Sequence, residues 1–176
     1  HLSLDPDSIT IDPWAFTHLI KKALPAEYDG RPVCILNIGH KQSGLYLYIN
    51  NSPVLVHISN CAGEDITKAI AQAYNLSFDQ AEKAKEEGSF LLTQLHLSGE
   101  AGGEPITEGQ KQFAATVADA LMPLVRELKQ SLMAFKSQFK TAPRAIFVTG
   151  GSSSIPNLPL YLEEILKIPV FPFQYI

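Results

Sequence analysis

Three short apolar runs follow one another in the first third of the chain. Residues 33–38 (VCILNI) are almost continuously apolar, which is typical of a strand covered on both faces. Residues 45–49 (LYLYI) and 53–58 (PVLVHI) are separated by Asn50-Asn51, a tight-turn signal. The pattern predicts a three-stranded antiparallel meander. Its third strand is expected at an edge of the sheet, because that run begins with a proline.

Elsewhere most apolar residues recur at steps of three and four, the period of an amphipathic helix. Asp12 is expected to be the N-cap of a helix that begins with a proline, and Trp14 belongs to the apolar face of that helix. Ser77 and Gln80 form a capping-box pattern that opens another helix, which ends near residue 88. Two further helices are predicted around residues 66–74 and 158–166.

The longest predicted helix follows a Thr107/Gln110 capping box. Its apolar face continues to Phe139, and Pro123 is expected to kink it. A coiled coil is the alternative, although the polar face lacks a sustained charge pattern. Four leucines are predicted to be buried together on this helix: Leu121, Leu124, Leu128 and Leu132.

The order of these elements predicts the fold class. After the three strands and the helices come a strand at 145–148, a helix and a short strand at 169–171. Antiparallel strands followed by parallel crossover units give an α/β fold, with a mixed sheet and helices on its faces. Residues 98–106 between the helices are predicted to form a flexible loop.

The composition excludes several classes of function. The chain has 176 residues, and its formal net charge of −4 argues against a nucleic-acid-binding surface. No apolar run is as long as a membrane span. Cys34 and Cys61 lack the spacing of a metal or redox site, so buried free thiols are predicted. These features favour the cytoplasm, and no metal site is expected.

Two glycine-containing turns have the composition of anion-binding loops. Residues 39–44 (GHKQSG) join the first two strands, and their backbone N–H groups, Ser43 and His40 are candidate contacts. Residues 150–154 (GGSSS) precede a predicted helix, whose N-terminus favours negative charge. The alternative for both is a structural turn that only needs small residues. In one mixed sheet the two turns would lie at the ends of neighbouring strands, beside a cleft where ligands commonly bind.

Five segments resemble, in their order, the motifs of the actin-like ATPase superfamily, which has a ribonuclease H-like fold. Within it the order is most similar to the type IV pilus assembly protein PilM family and to the cytoplasmic part of type II secretion protein L, with the FtsA family more distant. The resemblance covers about residues 33–172. The segments are residues 35–54, 61–67 (CAGEDIT), 77–89 (SFDQAEKAKEEGS), 126–135 and 148–158 (VTGGSSSIPNL).

The resemblance implies ATP, with Mg²⁺, as the cofactor. Gly39 and Ser43 fall on phosphate-loop positions. Glu82 and Lys85 fall on the ribose and base contacts of an Ala-Glu-x-x-Lys helix, although charges on an exposed helix are also simply solvated. The remaining contacts that the resemblance implies are Gly63, Gly150, Gly151 and Ser152.

The chain departs from the family pattern in its chemistry and its extent. Asn37 stands where the family has an aspartate, whose carboxylate would hold a Mg²⁺-bound water. Ala62 replaces a glycine, a milder change. No first phosphate loop is recognisable before residue 33. We therefore interpret residues 1–32 as the tail of a preceding lobe, a strand plus a helix, and residues 33–176 as the second lobe, either an excised piece or a reduced protein.

These features together imply a non-catalytic assembly scaffold of a type IV pilus or type II secretion system, on the cytoplasmic face of the inner membrane. The expected partners are other inner-membrane assembly proteins, or a second copy in a homo-oligomer, through the apolar face that a missing lobe would expose. One alternative is an active ATPase or phosphotransferase lobe, which requires phosphates clamped from both sides. The other is an unrelated α/β domain with purely structural turns.

Overall fold

The centre of the fold is a mixed five-stranded sheet. The structure, a computed structural model, describes residues 10–98 and 105–173. The first three strands pair antiparallel, and the last two join the first in parallel, which gives the order β3-β2-β1-β4-β5. The predicted α/β class and three-stranded meander are therefore confirmed. The strands are β1 Val33–Ile38, β2 Ser43–Ile49, β3 Ser52–Ser59, β4 Ile146–Thr149 and β5 Val170–Pro172.

The backbone conformation of the tight turn between β2 and β3 accounts for the two asparagines in it. Asn50 and Asn51 have φ values of 51° and 59°, a left-handed conformation that asparagine tolerates. The Asn51 amide also donates to Asp29 Oδ1 over 2.7 Å, and its own Oδ1 accepts from the Gly30 N–H. The turn is thereby fixed to the loop that precedes β1. As predicted, β3 lies at an edge of the sheet.

Six α-helices surround the sheet within the described residues. Both predicted capping boxes are present, with Ser77 and Thr107 as N-caps. Their bounds are α1 Asp12–Ala23, α2 Gly63–Tyr74, α3 Phe78–Gly88, α4 Gln94–Leu97, α5 Glu108–Phe139 and α6 Leu158–Leu166.

Two predictions about α1 are wrong. Its N-cap is Ile11, while Asp12 is its first residue and accepts a hydrogen bond from the Tyr46 hydroxyl. Trp14, predicted on the buried face, is 53% exposed. The buried stripe starts from the neighbouring proline and continues through Phe16 and Ile20, so Trp14 is turned about 100° away from it.

The long helix α5 packs its apolar face inside the molecule. The four predicted leucines are all buried in one core, which also contains residues of β1, β2 and α2. The coiled-coil alternative is therefore wrong. Pro123 lies within the 32-residue helix and has no N–H, so the carbonyl of Asp119 lacks its usual partner four residues on.

Alternate residues of the central strand β1 enter two separate cores. Val33 and Ile35 pack on the side that holds α1, whereas Leu36 and Ile38 pack on the side that holds α2, α5 and α6. This double coverage accounts for the almost unbroken apolar run of β1. The α2 side of the sheet also carries the helices that form the candidate site.

The cysteine prediction is half right. Cys34 is buried, and burial raises its thiol pKa to about 12. Cys61 is only half-buried, with Sγ 3.4 Å from the carbonyl oxygen of Ala120. Among the helices of the described ranges, none combines the length and the apolar character needed to cross a membrane. The strand predicted before Asp12 and most of the predicted loop 98–106 lie outside the described residues.

Candidate functional site

The two glycine turns lie side by side at the carboxyl ends of neighbouring parallel strands. β1 pairs with β4 so that Asn37 stands opposite Thr149; the first turn begins two residues after Asn37, and the second begins directly after Thr149. This arrangement was predicted from the order of the strands. It is also the place where ligands commonly bind in open α/β sheets.

A cavity of about 200 Å³ opens between the turns, α2 and α3. His40, Glu86 and Ser89 contribute further polar groups, and Ile155 with Pro156 forms an apolar wall. The structure brings six of the eight predicted nucleotide contacts to this cavity: Gly39, Gly63, Glu82, Lys85, Gly151 and Ser152.

Glu82 and Lys85 form one hydrogen-bonded network with α2. Lys85 Nζ lies 2.7 Å from Glu82 Oε1 and 2.8 Å from Oε2, and it also donates to Thr67 Oγ1 over 2.9 Å. The Thr67 hydroxyl contacts Glu82 Oε2, and Lys85 Nζ reaches the carbonyl oxygen of Gly63. The Lys85 side chain is only 10% exposed. The alternative of a simply solvated helix face therefore does not hold for these two residues.

The network decides the charge state of Glu82. Burial raises the pKa of its carboxyl group, but the hydrogen bonds from Lys85 and Thr67 and the positive charge of Lys85 outweigh burial. The pKa of Glu82 consequently lies below its ordinary value. Glu82 thus faces the cavity as a carboxylate, which can accept hydrogen bonds from hydroxyl groups.

Gly63, the first residue of α2, lies where this helix contacts both glycine turns. A β-carbon on residue 63 would lie 2.5 Å from Ser152 Oγ and 3.2 Å from the carbonyl oxygen of Gly39. Only glycine allows the start of α2 to approach both turns so closely. The Gly63 N–H donates to the Gly39 carbonyl over 2.9 Å, and the Glu64 N–H donates to the His40 carbonyl over 2.7 Å.

Two predicted contacts lie outside the cavity. Ser43 is fully buried in β2, and its hydroxyl donates to the carbonyl oxygen of Cys61 over 2.7 Å. Gly150 has a φ of +91°, and a β-carbon there would lie 2.4 Å from the carbonyl oxygen of Ile38. Gly150 therefore serves the turn itself, where a side chain would collide with β1.

The helix predicted around residues 158–166 is confirmed as α6, but its N-terminus does not adjoin the second turn as expected. A short 3-10 helix, Gly151–Ser154, starts at the second glycine, and α6 begins only at Leu158. The hydroxyls of Ser153 and Ser154 donate to the carbonyls of Gly150 and Gly151. These two of the three serines thus stabilise the backbone of their own turn.

Ser89 was missed by the sequence analysis. Its side chain lines the cavity, the residue is 6% exposed, and its hydroxyl has no hydrogen-bond partner among the described residues. A buried hydroxyl without a partner is costly and rare in folded proteins. The signal available was helical spacing, because positions 82, 85, 86 and 89 repeat at steps that share one helix face.

The residues present do not fit a nucleotide-bound Mg²⁺. Asn37 Oδ1 is turned toward Gly150, where it would lie 2.5 Å from a β-carbon of that residue. A neutral amide is also a weak partner for the ordered waters of Mg²⁺.

Comparison with known proteins identifies the family. A family model described as Cell division protein FtsA matches residues 34–174. The chain belongs to this FtsA family. The FtsA protein of Pseudomonas aeruginosa is 25% identical to it over 144 residues. These residues cover 78% of the chain and 34% of that relative, so the FtsA-family chain spans about a third of its length.

Solved structures show that this FtsA-family member has an actin-like fold. A chain of the PilM–PilN type IV pilus biogenesis complex superposes with a TM-score of 0.71, at 24% identity over 96% of the chain and 43% of its own length. MreB5 of Spiroplasma citri bound to ADP gives 0.64, at 18% identity over 89% of the chain and 53% of its own length. The archaeal actin homologue Ta0583 gives a TM-score of 0.63, at 13% identity over 93% of the chain and 47% of its own length.

Proposed function

We propose that this chain is the nucleotide-binding lobe of an assembly scaffold and does not hydrolyse the nucleotide. The observation that carries the proposal is Ser89, a buried hydroxyl with no hydrogen-bond partner among the described residues, in a cavity that six of the predicted nucleotide contacts line. Such a group indicates a ligand that completes its hydrogen bonding. The lack of fit to Mg²⁺ supports the absence of hydrolysis, because phosphoryl transfer depends on a metal that neutralises the developing charge.

The cavity offers each kind of contact that a nucleoside requires. The Glu82 carboxylate can accept from ribose hydroxyls, and the hydroxyls of Ser89 and Ser152 can bond polar base or sugar atoms. Ile155 and Pro156 supply an apolar surface on which a base can lie. Convergent polar groups that fix a ligand's orientation beside an apolar surface are typical of small-ligand sites.

We favour a role for this scaffold in a type IV pilus or a type II secretion system. The likeness to a chain of the PilM–PilN complex, which extends over 96% of this chain, supports it. On this proposal the partners are inner-membrane assembly proteins, and the chain acts on the cytoplasmic face of that membrane. The match to the FtsA family favours a second candidate, a scaffold in cell division.

Deletion of the gene separates the two assignments. We expect loss of pili or of secretion with normal division. Undivided, filamentous cells with intact pili would favour the second candidate instead.

Calorimetric titration with ATP tests the nucleotide site directly. We expect Ser89→Ala to weaken binding by roughly 2–10-fold, the effect of one lost hydrogen bond. The same substitution should leave the melting temperature unchanged or raise it, because within residues 10–98 and 105–173 the hydroxyl forms no hydrogen bond that could be lost. Ser154→Ala is the matched control, since its hydroxyl already donates to Gly151. Absence of ATP binding by the wild-type chain would refute the proposal.

A further inference from the structure

Strand β3 forms an edge of the sheet that is unprotected along its second half. Among the described residues, β3 pairs with β2 alone. Natural proteins protect such edges from pairing with other chains by charged side chains, prolines or bulges. Pro53 and a register shift beside it give this protection near the β2–β3 turn. Residues 55–59 (LVHIS) contain no proline and no Asp, Glu, Lys or Arg, and their register with β2 is regular.

The open edge presents backbone groups as well as apolar side chains. The Gly39 N–H donates to the Gln42 carbonyl, and hydrogen-bonded and non-hydrogen-bonded pairs alternate along an antiparallel ladder. Gly44, two residues after Gln42, therefore directs its N–H and C=O toward β1. Since Gly44 stands opposite Ile58, the N–H and C=O of Ile58 point away from β2, and so do those of Val56. The side chains of Val56 and Ile58 are also 49% and 48% exposed.

The helix beside this edge keeps its lysines away from it. Glu127 marks the side of α5 that faces β3, because its carboxylate lies 2.7 Å from His57 Nε2. The exposed residues at helical spacing on that side of α5 are uncharged, namely Gln130, Ala134 and Gln138. Lys129 and Lys136 lie about 180–200° around the helix from Glu127. A second molecule can thus approach along β3 without meeting these two positive charges.

A second copy of this chain fits the open edge. We propose that two copies pair through β3, antiparallel and around a two-fold axis beside Val56. Val56 would then exchange two N–H···O bonds with Val56 of the partner subunit, and Leu55 would lie opposite His57 of the partner subunit. Each copy covers the open edge of the other, and the two sheets join into one. A two-fold interface is closed, so assembly stops at a dimer.

Sedimentation velocity at several concentrations tests the oligomeric state. The 19.3 kDa chain should form a dimer with a dissociation constant in roughly the micromolar range, the weak end for protein interfaces. Val56→Lys should raise this constant by at least about tenfold, because the two-fold axis sets two like charges opposite each other. Met133→Lys is the matched control and should leave the constant unchanged, since Met133 is 72% exposed and turned about 120° from Glu127 on α5. Circular dichroism checks that both variants fold.

Hydrogen exchange followed by NMR tests which surface forms the dimer. The amides of Val56 and Ile58 should exchange at least about tenfold more slowly at concentrations where the dimer forms than in the dilute monomer. Equal exchange rates in the two states would overturn the inference, because the dimer would then use another surface. Slow exchange already present in the monomer would overturn it too, because another segment of the chain would then cover the edge.

Three outcomes of sedimentation would also overturn the inference. They are a monomer at every concentration, a dimer whose affinity is unchanged in Val56→Lys, and assembly beyond a dimer. The candidate nucleotide cavity lies at the ends of β1 and β4, and β2 separates β3 from both strands. Failure of this inference would therefore leave the proposed function intact.

Discussion

The side chain of Ser152 occupies the space that a β-carbon on Gly63 would need, with Oγ 2.5 Å from that position. Gly63→Ala must therefore displace Ser152 or shift the start of α2. We expect a loss of roughly 1–3 kcal/mol in the free energy of unfolding, as for overpacking of a close-packed site. Chemical denaturation of both proteins measures this loss, and a parallel nucleotide titration shows whether the cavity is distorted.

A matched control for this substitution lies in the adjacent turn. Gly151→Ala should be tolerated, because its added β-carbon meets no atom within 4 Å. In the double variant Gly63→Ala/Ser152→Gly, part of the lost stability should return, since the nearest obstacle is removed. Equal stability of Gly63→Ala and Gly151→Ala would contradict the close approach of α2 to the second turn.

Leu128→Ala should destabilise the fold by about 2–5 kcal/mol, because Leu128 is fully buried beneath the sheet in the middle of α5. Met133→Ala on the same helix is the control, as that side chain is 72% exposed and should change stability by less than about 0.5 kcal/mol. Urea unfolding followed by circular dichroism measures both. A loss below about 0.5 kcal/mol in Leu128→Ala would show that this face of α5 is solvated.

The sheet and the long helix could be predicted from the sequence because their signals are local and repetitive. The run Val33–Ile38 is apolar at every position but Asn37, since both faces of the strand are covered, and Leu128 recurs at the helical period with its neighbours. The pairing of β1 with β4 follows from the order of the elements, and that pairing alone brings the two turns together.

The details of the site could not be predicted because they depend on contacts between distant elements. The Ser43 hydroxyl is used by the carbonyl of Cys61, which follows a different strand. Ser89 closes the segment 77–89 but was not among its expected contacts, and its lack of a hydrogen-bond partner among the described residues is visible only once α3 is placed against the second turn. Trp14 is exposed because the buried face of α1 begins with Pro13. Both residues are apolar, so the sequence alone does not show which of them is buried.

The ion pair between Lys85 and Glu82 should make the free energy of unfolding depend on pH in the acidic range. The pKa of Glu82 is lowered in the fold, with hydrogen bonds from Lys85 and Thr67 outweighing burial, which raises it. A lowered pKa stabilises the fold above the ordinary value of 4.5, and this contribution disappears as the pH falls through the pKa of the folded state. Lys85→Met should thus cost roughly 1–3 kcal/mol at neutral pH, and the difference from wild type should shrink below about pH 4.

Lys83→Met on the same helix provides the comparison for this pH dependence. The Lys83 side chain is 73% exposed and lies 3.9 Å from Glu87, so solvent screens the pair. We expect its removal to change stability by less than about 0.5 kcal/mol at any pH. Guanidinium unfolding from pH 7 to pH 3 measures both variants. A Lys85→Met effect that stays constant across this range would disprove the coupling to Glu82.

Finally, the isolated chain should not hydrolyse ATP. Hydrolysis needs a metal held by oxygen ligands, phosphates clamped on both sides and a positioned water. Asn37 offers an amide oxygen turned toward Gly150, and the hydroxyl of Ser43 is bound to Cys61. Asn37→Asp should remain inactive as well, because a carboxylate in that orientation faces the backbone of the second turn. Phosphate release with Mg-ATP measures the activity of both proteins. Turnover by the wild-type chain that persists through further purification would refute the non-catalytic scaffold. Turnover gained only in Asn37→Asp would show that the missing carboxylate is the sole defect of the site.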